Sequence, residues 1–156
     1  IVGGEKTSRE AIDRTFRILT KMRKKPVILR KELPAFAGNR IQRVIGVECS
    51  YLVENEICSP EDVDTIIMYG FGRRMFNTGY FMRCDLIGLD LLYDTAVARG
   101  QKPLQVVEEH YTKGELGAKT GKGFYDWTHE SEEALHRRQD MDLLRFLKRD
   151  YEEGLL

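Results

Sequence analysis

The sequence predicts a mainly α-helical protein with a short α/β piece in front, and three observations predict it. From residue 36 onward, apolar residues recur at three- and four-residue spacing in stretch after stretch. Glycine or proline stands at the edges of several of them, at Pro60, Gly70, Gly100 and Gly114. Only before residue 31 do strand-like runs, "IVGG" and "PVIL", flank a helical pattern.

The totals fit that class and remove several functions. At 156 residues, with 42% apolar and 32% charged content, the chain can bury one proper core. Its 25 basic and 25 acidic residues cancel, so no basic excess points to nucleic acid. The densest basic run, "KMRKKP" at 21–26, reads as a solvated helix end. Cys49, Cys58 and Cys84 show neither a disulfide framework nor metal-ligand spacing. They read as reduced, packed thiols, which leads to the expectation of a cytoplasmic protein without a metal. No stretch approaches 18 uninterrupted apolar residues and no signal-peptide pattern is present, so no membrane partner is expected. A chain that starts at Ile1 rather than Met is expected to be a fragment, a processed product or a chain missing its beginning.

Each element has its own signal. "TSRE", Thr7 to Glu10, has the form of a capping box. Ile12, Phe16, Leu19 and Met22 follow at helical spacing, giving a helix over about 8–23. Val27, Ile28 and Leu29 centre a short strand. Residues 36–55 carry apolar side chains around most of the circumference, among them Ile41, Val44, Ile45, Val47, Leu52 and Val53, which predicts a central buried helix. "SPEDVDTIIMYG" offers Ser59 as N-cap, Pro60 at the first helical position and Gly70 to end the helix. "CDLIGLDLLYDTAVARG" reads as one packed helix ending at Gly100, and "PLQVVEEHYTKG" as a short one closed by Gly114. Residues 131–153 form a long charged helix, periodic through Leu135, Met141, Leu144 and Leu147.

The motifs that could carry chemistry are few. "GAKTGKGFYDW" at 117–127 fails as a phosphate loop, because Lys122 is followed by Gly123 rather than by Ser or Thr. It reads as a turn that tucks Phe124, Tyr125 and Trp127 onto the core, with Lys119 and Lys122 still able to face an anion. "YGFGRR" lacks the third glycine of a dinucleotide loop and follows a helix, not a strand. His110, His129 and His136 read as surface residues without a partner at a telling spacing. Asp85, Asp90 and Asp94 could do carboxylate chemistry, but helix-face or capping roles explain them more simply. Asn39 and Arg40 stand out in "LPAFAGNRI". A polar pair opens an otherwise apolar run, and the small residues Ala37 and Gly38 let a ligand approach an amide that both donates and accepts. By residue type Arg40 is an ion-pair partner; from the residues alone the role of Asn39 stays open.

Four stretches in order resemble one family, the L-3-hydroxyacyl-CoA dehydrogenases, in their C-terminal helical domain. "TSREAIDRTFRILTKMRKKPVIL" is similar to the last helix and strand of the family's nucleotide-binding domain. "LPAFAGNRI" resembles its Pro-Gly-Phe-x-x-Asn-Arg signature, and "EICSPEDVDTIIMYGFGRR" with "DLIGLDLLYD" the segment that follows. "GAKTGKGFYDW" matches its Gly-x-Lys-Thr-Gly-x-Gly-Phe-Tyr close. The resemblance implies a helical domain of the 6-phosphogluconate dehydrogenase C-terminal type, residues 31–156. Before it, residues 1–30 are a βαβ remnant of a Rossmann domain.

It also implies NAD-dependent interconversion of L-3-hydroxyacyl-CoA and 3-ketoacyl-CoA, as in fatty-acid metabolism, by a cytoplasmic homodimer joined through the helical domain. Hydride leaves C3 while a His paired with a Glu takes the hydroxyl proton; both those residues and the NAD loop belong to an N-terminal domain outside these residues. Of the catalytic set only the amide maps here, onto Asn39. Arg40, Lys119 and Lys122 are the candidate substrate-binding residues, Arg40 the more structural of them. The long helix after Trp127 favours the short-chain, 3-hydroxybutyryl-CoA side of the family. Ala35 where the family has Gly, and Tyr80 where Pro is common after Gly79, leave the acyl pocket open. Relatives acting on L-gulonate or carnitine share the architecture, and a stand-alone helical dimerisation module is the alternative of another class.

Overall fold

A computed structural model describes residues 1–155. The described chain is helical and falls into two compact units, Ile1–Val63 and the stretch from Asp64 onward.

In the first unit, helix α1 spans Arg9–Lys21. Its N-cap is Ser8, whose hydroxyl accepts from the Ala11 amide at 3.2 Å. The expected Thr7–Glu10 box is thus displaced by one residue. Thr7 turns its hydroxyl back to the Gly4 amide at 3.1 Å, and an N-cap bonds forward, not backward. The strand-like runs on either side of α1 are not assigned as strands. They do form one rung between them: the Ile1 nitrogen donates to the Val27 carbonyl at 2.6 Å and the Leu29 amide to the Ile1 carbonyl at 2.8 Å. One residue bonding to both neighbours of its opposite number is the pattern of a parallel pair, a single rung where two strands were expected.

Helix α2 spans Phe36–Glu54 and departs from expectation. None of its residues is buried; Ile41, Val44 and Val47 are 62%, 70% and 59% exposed. Apolar periodicity says that a helix has something to bury and not what covers it. The described residues half-bury only Ala37, Ile45, Cys49, Leu52 and Val53.

Helix α3, Pro60–Thr65, runs across the boundary between the units and starts at a reciprocal cap: the Asp62 amide donates to the Ser59 hydroxyl at 3.1 Å and the Ser59 amide to the Asp62 carboxylate at 3.0 Å. Beyond it the second unit is built on a bent helical rod. A π-helical turn, Ile66–Phe71, follows and leads into α4, Gly72–Ile87. Gly70 therefore kinks the chain, at ψ −115°, instead of ending it. Arg73 stabilises the wide turn by donating to the Met68 carbonyl at 3.1 Å, which the π register leaves available. A second break lies at Gly79, with φ 66° and ψ −170°. The single helix expected from Cys84 to Gly100 is also two. Gly88, at φ 103°, separates α4 from α5, Leu89–Ala98, and lets Leu89 bury completely. Helix α6, Gln105–Thr112, and its close at Gly114, φ 72°, agree with the sequence reading.

Two small cores result. Cys84, Leu89 and Val107 pack with Leu92, Tyr93 and Phe124; Ala118, Trp127 and Leu135 pack with Met82 and Leu86. Helix α7, His129–Glu152, starts at a Thr128–Ser131 capping box and lies against α4. Arg138 donates to the Asn77 carbonyl, Phe146 meets Phe76 edge-on at 5.6 Å, and the fully buried Asp150 is ion-paired with Arg73. Burial pushes the Asp150 carboxyl up, but hydrogen bonds from Arg149 and Arg73 outweigh it and hold it below the ordinary carboxylate range.

These positions set the expected effect of three substitutions. A Cβ at Gly79 would meet nothing within 4 Å, so Gly79→Ala isolates the backbone term and should cost about 1–3 kcal/mol in thermal or urea melts. Ala35 occupies the same left-handed half of conformational space at φ 65°, so Ala35→Gly should stabilise by about 1 kcal/mol. The Asp150 carboxyl ionises lower folded than unfolded, so its stabilisation is present above about pH 4 and lost as pH falls through the folded value. Melts from neutral to acid should show the deficit of Asp150→Asn, large at pH 7, shrinking as the parent loses this contribution.

Candidate functional site

Two places concentrate unusual chemistry, one in each unit. The first is the entry to α2. Ala35 and Phe36 are consecutive left-handed residues, at φ 65° and 53°, neither of them Gly. The Phe36 amide reaches back to the Leu33 carbonyl at 3.2 Å, which fixes the turn. The helix then starts with no side-chain cap and no acidic residue in its first turn. Its orphan amides, and the partial positive charge they carry, are left available. Gly38 keeps the approach open, since a Cβ there would meet nothing within 4 Å. Asn39 and Arg40 are both exposed on this first turn, and neither side chain bonds to a described residue. A free donor–acceptor amide, a free cation and an uncapped helix start together suit an oxygen-rich ligand. The strain at Ala35 and Phe36 is the kind of local violation that functional sites retain.

The second place is the Gly-rich turn, and it centres on Asp85 of α4, 1% exposed. Its carboxylate accepts from the Phe124 amide, the Tyr125 amide and the Trp127 indole Nε1, each at 2.9 Å. Both glycines that face it are sterically required. A Cβ on Gly117 would stand 2.8 Å from the Asp85 Cα, and one on Gly123 2.7 Å from its Cγ. Thr120 completes the turn by accepting from the Leu116 amide at 2.9 Å and donating to the Lys122 carbonyl at 3.0 Å. The turn is thus wrapped around a carboxylate of its own chain. Trp127 is buried and Phe124 half-buried, as the sequence suggested, while Tyr125 stays exposed.

The lysines of this turn are engaged. Lys119 pairs with Asp90 at the start of α5; its hydrogen bond outweighs burial and holds the Asp90 carboxyl below its ordinary range. Lys122 pairs with Glu115 at 2.9 Å, and the Glu115 carboxylate also takes His110 Nδ1 at 2.8 Å. Hydrogen bonds from Lys122 and then His110 hold Glu115 low, and Glu115 in turn raises Lys122. His110 therefore has a partner after all, five residues on and across Gly114, a spacing that reverses direction at the glycine and is not seen in a helical register. No group of three or more metal-ligating side chains occurs among the described residues.

The family model of the 3-hydroxyacyl-CoA dehydrogenase C-terminal domain matches residues 36–127, more than half of the chain. The chain belongs to that family. Its fold is similar to a 3-hydroxyacyl-CoA dehydrogenase of Archaeoglobus fulgidus, at 28% identity and TM-score 0.80 over 94% of this chain and 53% of that one. An L-carnitine dehydrogenase of Mesorhizobium japonicum is 41% identical over 81 residues, 52% of this chain and 22% of the relative. The 5-formyl-3-hydroxy-2-methylpyridine 4-carboxylate 5-dehydrogenase of the same organism is 25% identical over 150 residues, 92% of this chain and 48% of the relative. The chain thus spans between about a fifth and a half of these relatives' lengths.

The matched 3-hydroxyacyl-CoA dehydrogenase segment starts where α2 leaves its left-handed entry and ends at Trp127, the last donor to Asp85. Helix α7 lies beyond it. Sequence reasoning singled out the entry amide and the turn but missed what Asp85 does, because its three donors lie 39 to 42 residues away. Asp85→Asn keeps the shape and loses one acceptor oxygen, facing an amide NH2 toward N–H donors. It should cost at least about 3 kcal/mol, read by urea melts with the emission of Trp127 as the local probe.

Proposed function

We propose that this chain is the helical, substrate-side part of an NAD-dependent dehydrogenase that interconverts a 3-hydroxyacyl compound and its 3-keto form. The observation that carries the reading is the entry to α2, where Asn39 offers an unengaged amide inside the family segment. There it hydrogen-bonds the substrate oxygen at C3, or the base beside it, and so fixes the oxygen from which the proton leaves. Arg40, one residue on, faces the anionic part of the substrate. Lys119 and Lys122 serve an anion only by exchanging their present carboxylate partners.

Among the described residues no Gly-rich strand-to-helix turn supports a dinucleotide site. The glycines of "YGFGRR" lie on the π-helical turn and at the start of α4, not at a strand-to-helix turn. NAD is accordingly assigned to residues outside this chain, and so are the hydride step and the general base. The uncovered apolar side of α2 supports pairing with a second copy through the helical domain.

Short-chain 3-hydroxyacyl-CoA is the first substrate reading, and the fold likeness over 94% of the chain supports it. A second reading, L-carnitine, is favoured by the 41% identity to an L-carnitine dehydrogenase, although over only 81 residues. Both substrates carry a hydroxyl β to a carboxyl carbon, so one amide would serve either.

The test compares acetoacetyl-CoA with NADH against L-carnitine with NAD, using the protein that includes this chain and its cofactor domain. Turnover of one and not the other decides between the readings, and turnover of neither removes both. Asn39→Ala should lower kcat about a hundredfold with little change in KM. Residues 1–156 alone should turn over nothing; any dehydrogenase activity from them would overturn the assignment of NAD and base.

A further inference from the structure

Helix α7 is apolar on two sides and covered on one. Leu135 and Asp150 are buried on the side that meets α4, with Phe146 half-buried between them. On the far side Met141, Leu144, Leu147 and Tyr151 are 51%, 59%, 51% and 80% exposed. They follow at three- and four-residue steps, so they share one face and form a continuous stripe of about three turns. A contiguous apolar stripe left in water marks an interaction surface. This one belongs to the second unit and lies beyond the matched family segment, 36–127, so it is separate from the apolar side of α2.

The residues around Leu144 identify what covers the stripe. Met141 and Leu147 stand three residues to either side of it, Asp140 and Lys148 four, and Arg137 and Tyr151 seven. Read in either direction from Leu144, apolar answers apolar, acid answers base, and a guanidinium answers an aromatic ring. Reversing the helix therefore keeps the apolar pattern and inverts the charges, which is what an antiparallel copy of the same helix presents. A parallel copy in register would set Asp140 on Asp140 and Lys148 on Lys148. The flanking charges are also free to exchange partners. Lys148 meets Glu152 at 3.7 Å and Arg137 meets Glu133 at 3.1 Å, both exposed pairs within one helix, and Asp140 is unpaired among the described residues.

We infer that α7 is a further self-association surface, on which two copies pair antiparallel about a two-fold axis at Leu144. Asp140 then meets the partner's Lys148, and Arg137 lies over the ring of the partner's Tyr151. By symmetry each of these contacts occurs twice. The surface uses neither the α2 entry nor the cofactor, so it does not rest on the dehydrogenase reading or on pairing through α2. Where both surfaces are used, two isologous contacts per chain carry the assembly beyond a dimer.

The test uses the protein that includes this chain and its cofactor domain. Leu144→Cys puts a thiol on the axis, so oxidised glutathione should link two copies through it. Tyr151→Cys, two turns on, lies about 21 Å from its own copy and should link no more than the parent. The parent, with Cys49, Cys58 and Cys84, sets the background. In sedimentation equilibrium Asp140→Lys or Lys148→Asp alone should weaken the association about tenfold, and the double exchange should restore it. Leu144→Glu sets two acids on the axis and should abolish this contact. Parental melting temperatures show that these exposed positions leave the fold intact. Linking at both cysteine positions makes the pairing parallel, and linking at neither leaves the stripe to a different protein. A folded double exchange that associates no more tightly than the single changes shows that the charges do not meet. Each of these three results overturns the proposal.

Discussion

A carboxylate that is 1% exposed must be met by donors, and Asp85 is met by three, all contributed by one short turn about forty residues further along. Much of the second unit depends on that convergence. The donors come from Phe124, Tyr125 and Trp127, so the same bonds that satisfy the charge set two aromatic rings into the two small cores. The approach is possible only because Gly117 and Gly123 have no side chain. What resembles a phosphate loop in sequence is therefore an anion-binding loop in fact, and its anion is supplied by α4. The lysines of the loop are drawn to its periphery, where Asp90 and Glu115 hold them.

The rod that carries Asp85 is not a regular helix, and its irregularities have identifiable causes. The π turn at Ile66–Phe71 frees a carbonyl that Arg73 takes up, and the same guanidinium lies 4.4 Å over the Tyr69 ring and pairs with Asp150. One side chain thus joins the wide turn, α4 and the far end of α7. Removing one charge from such a buried pair strands the other, so the arrangement fixes where α7 lies more than it adds stability. With Trp127 and Leu135 sharing a core at the near end, α7 is fastened at both ends by different physics, apolar at its start and, through the Arg73–Asp150 pair, ionic at its finish.

The sequence-legible features were those with a local cause. Helical spacing found α1, α6 and α7, and Gly114 closed α6. What escaped was decided by distant groups or by competition between adjacent ones. Thr7 and Ser8 both qualify as caps, and the hydroxyl that faces forward wins. Gly70 was expected to end a helix and Gly88 to lie inside one, yet only Gly88 takes a positive φ. The buried role predicted for α2 came from an apolar circumference of which the described residues half-bury only part. The partner of Asp85 could not be read at all, since nothing local marks a carboxylate for donors so far away.

The candidate site was legible for a different reason: it breaks local rules. A helix start ordinarily recruits Ser, Thr, Asp or Asn as a cap and acidic residues in its first turn; α2 has neither and places Arg40 there instead. Its entry needs left-handed backbone at two successive positions and uses Ala and Phe for them, where Gly would relieve the strain. Each choice lowers the stability of the helix start, and each also leaves amides, a carboxamide and a cation unengaged at one spot. Selection for stability alone would remove all of them, because Gly at 35 and an acid in the first turn are simple substitutions. That they coincide around Asn39 is what separates it from the exposed polar residues elsewhere on the surface, whose neighbours obey the ordinary rules.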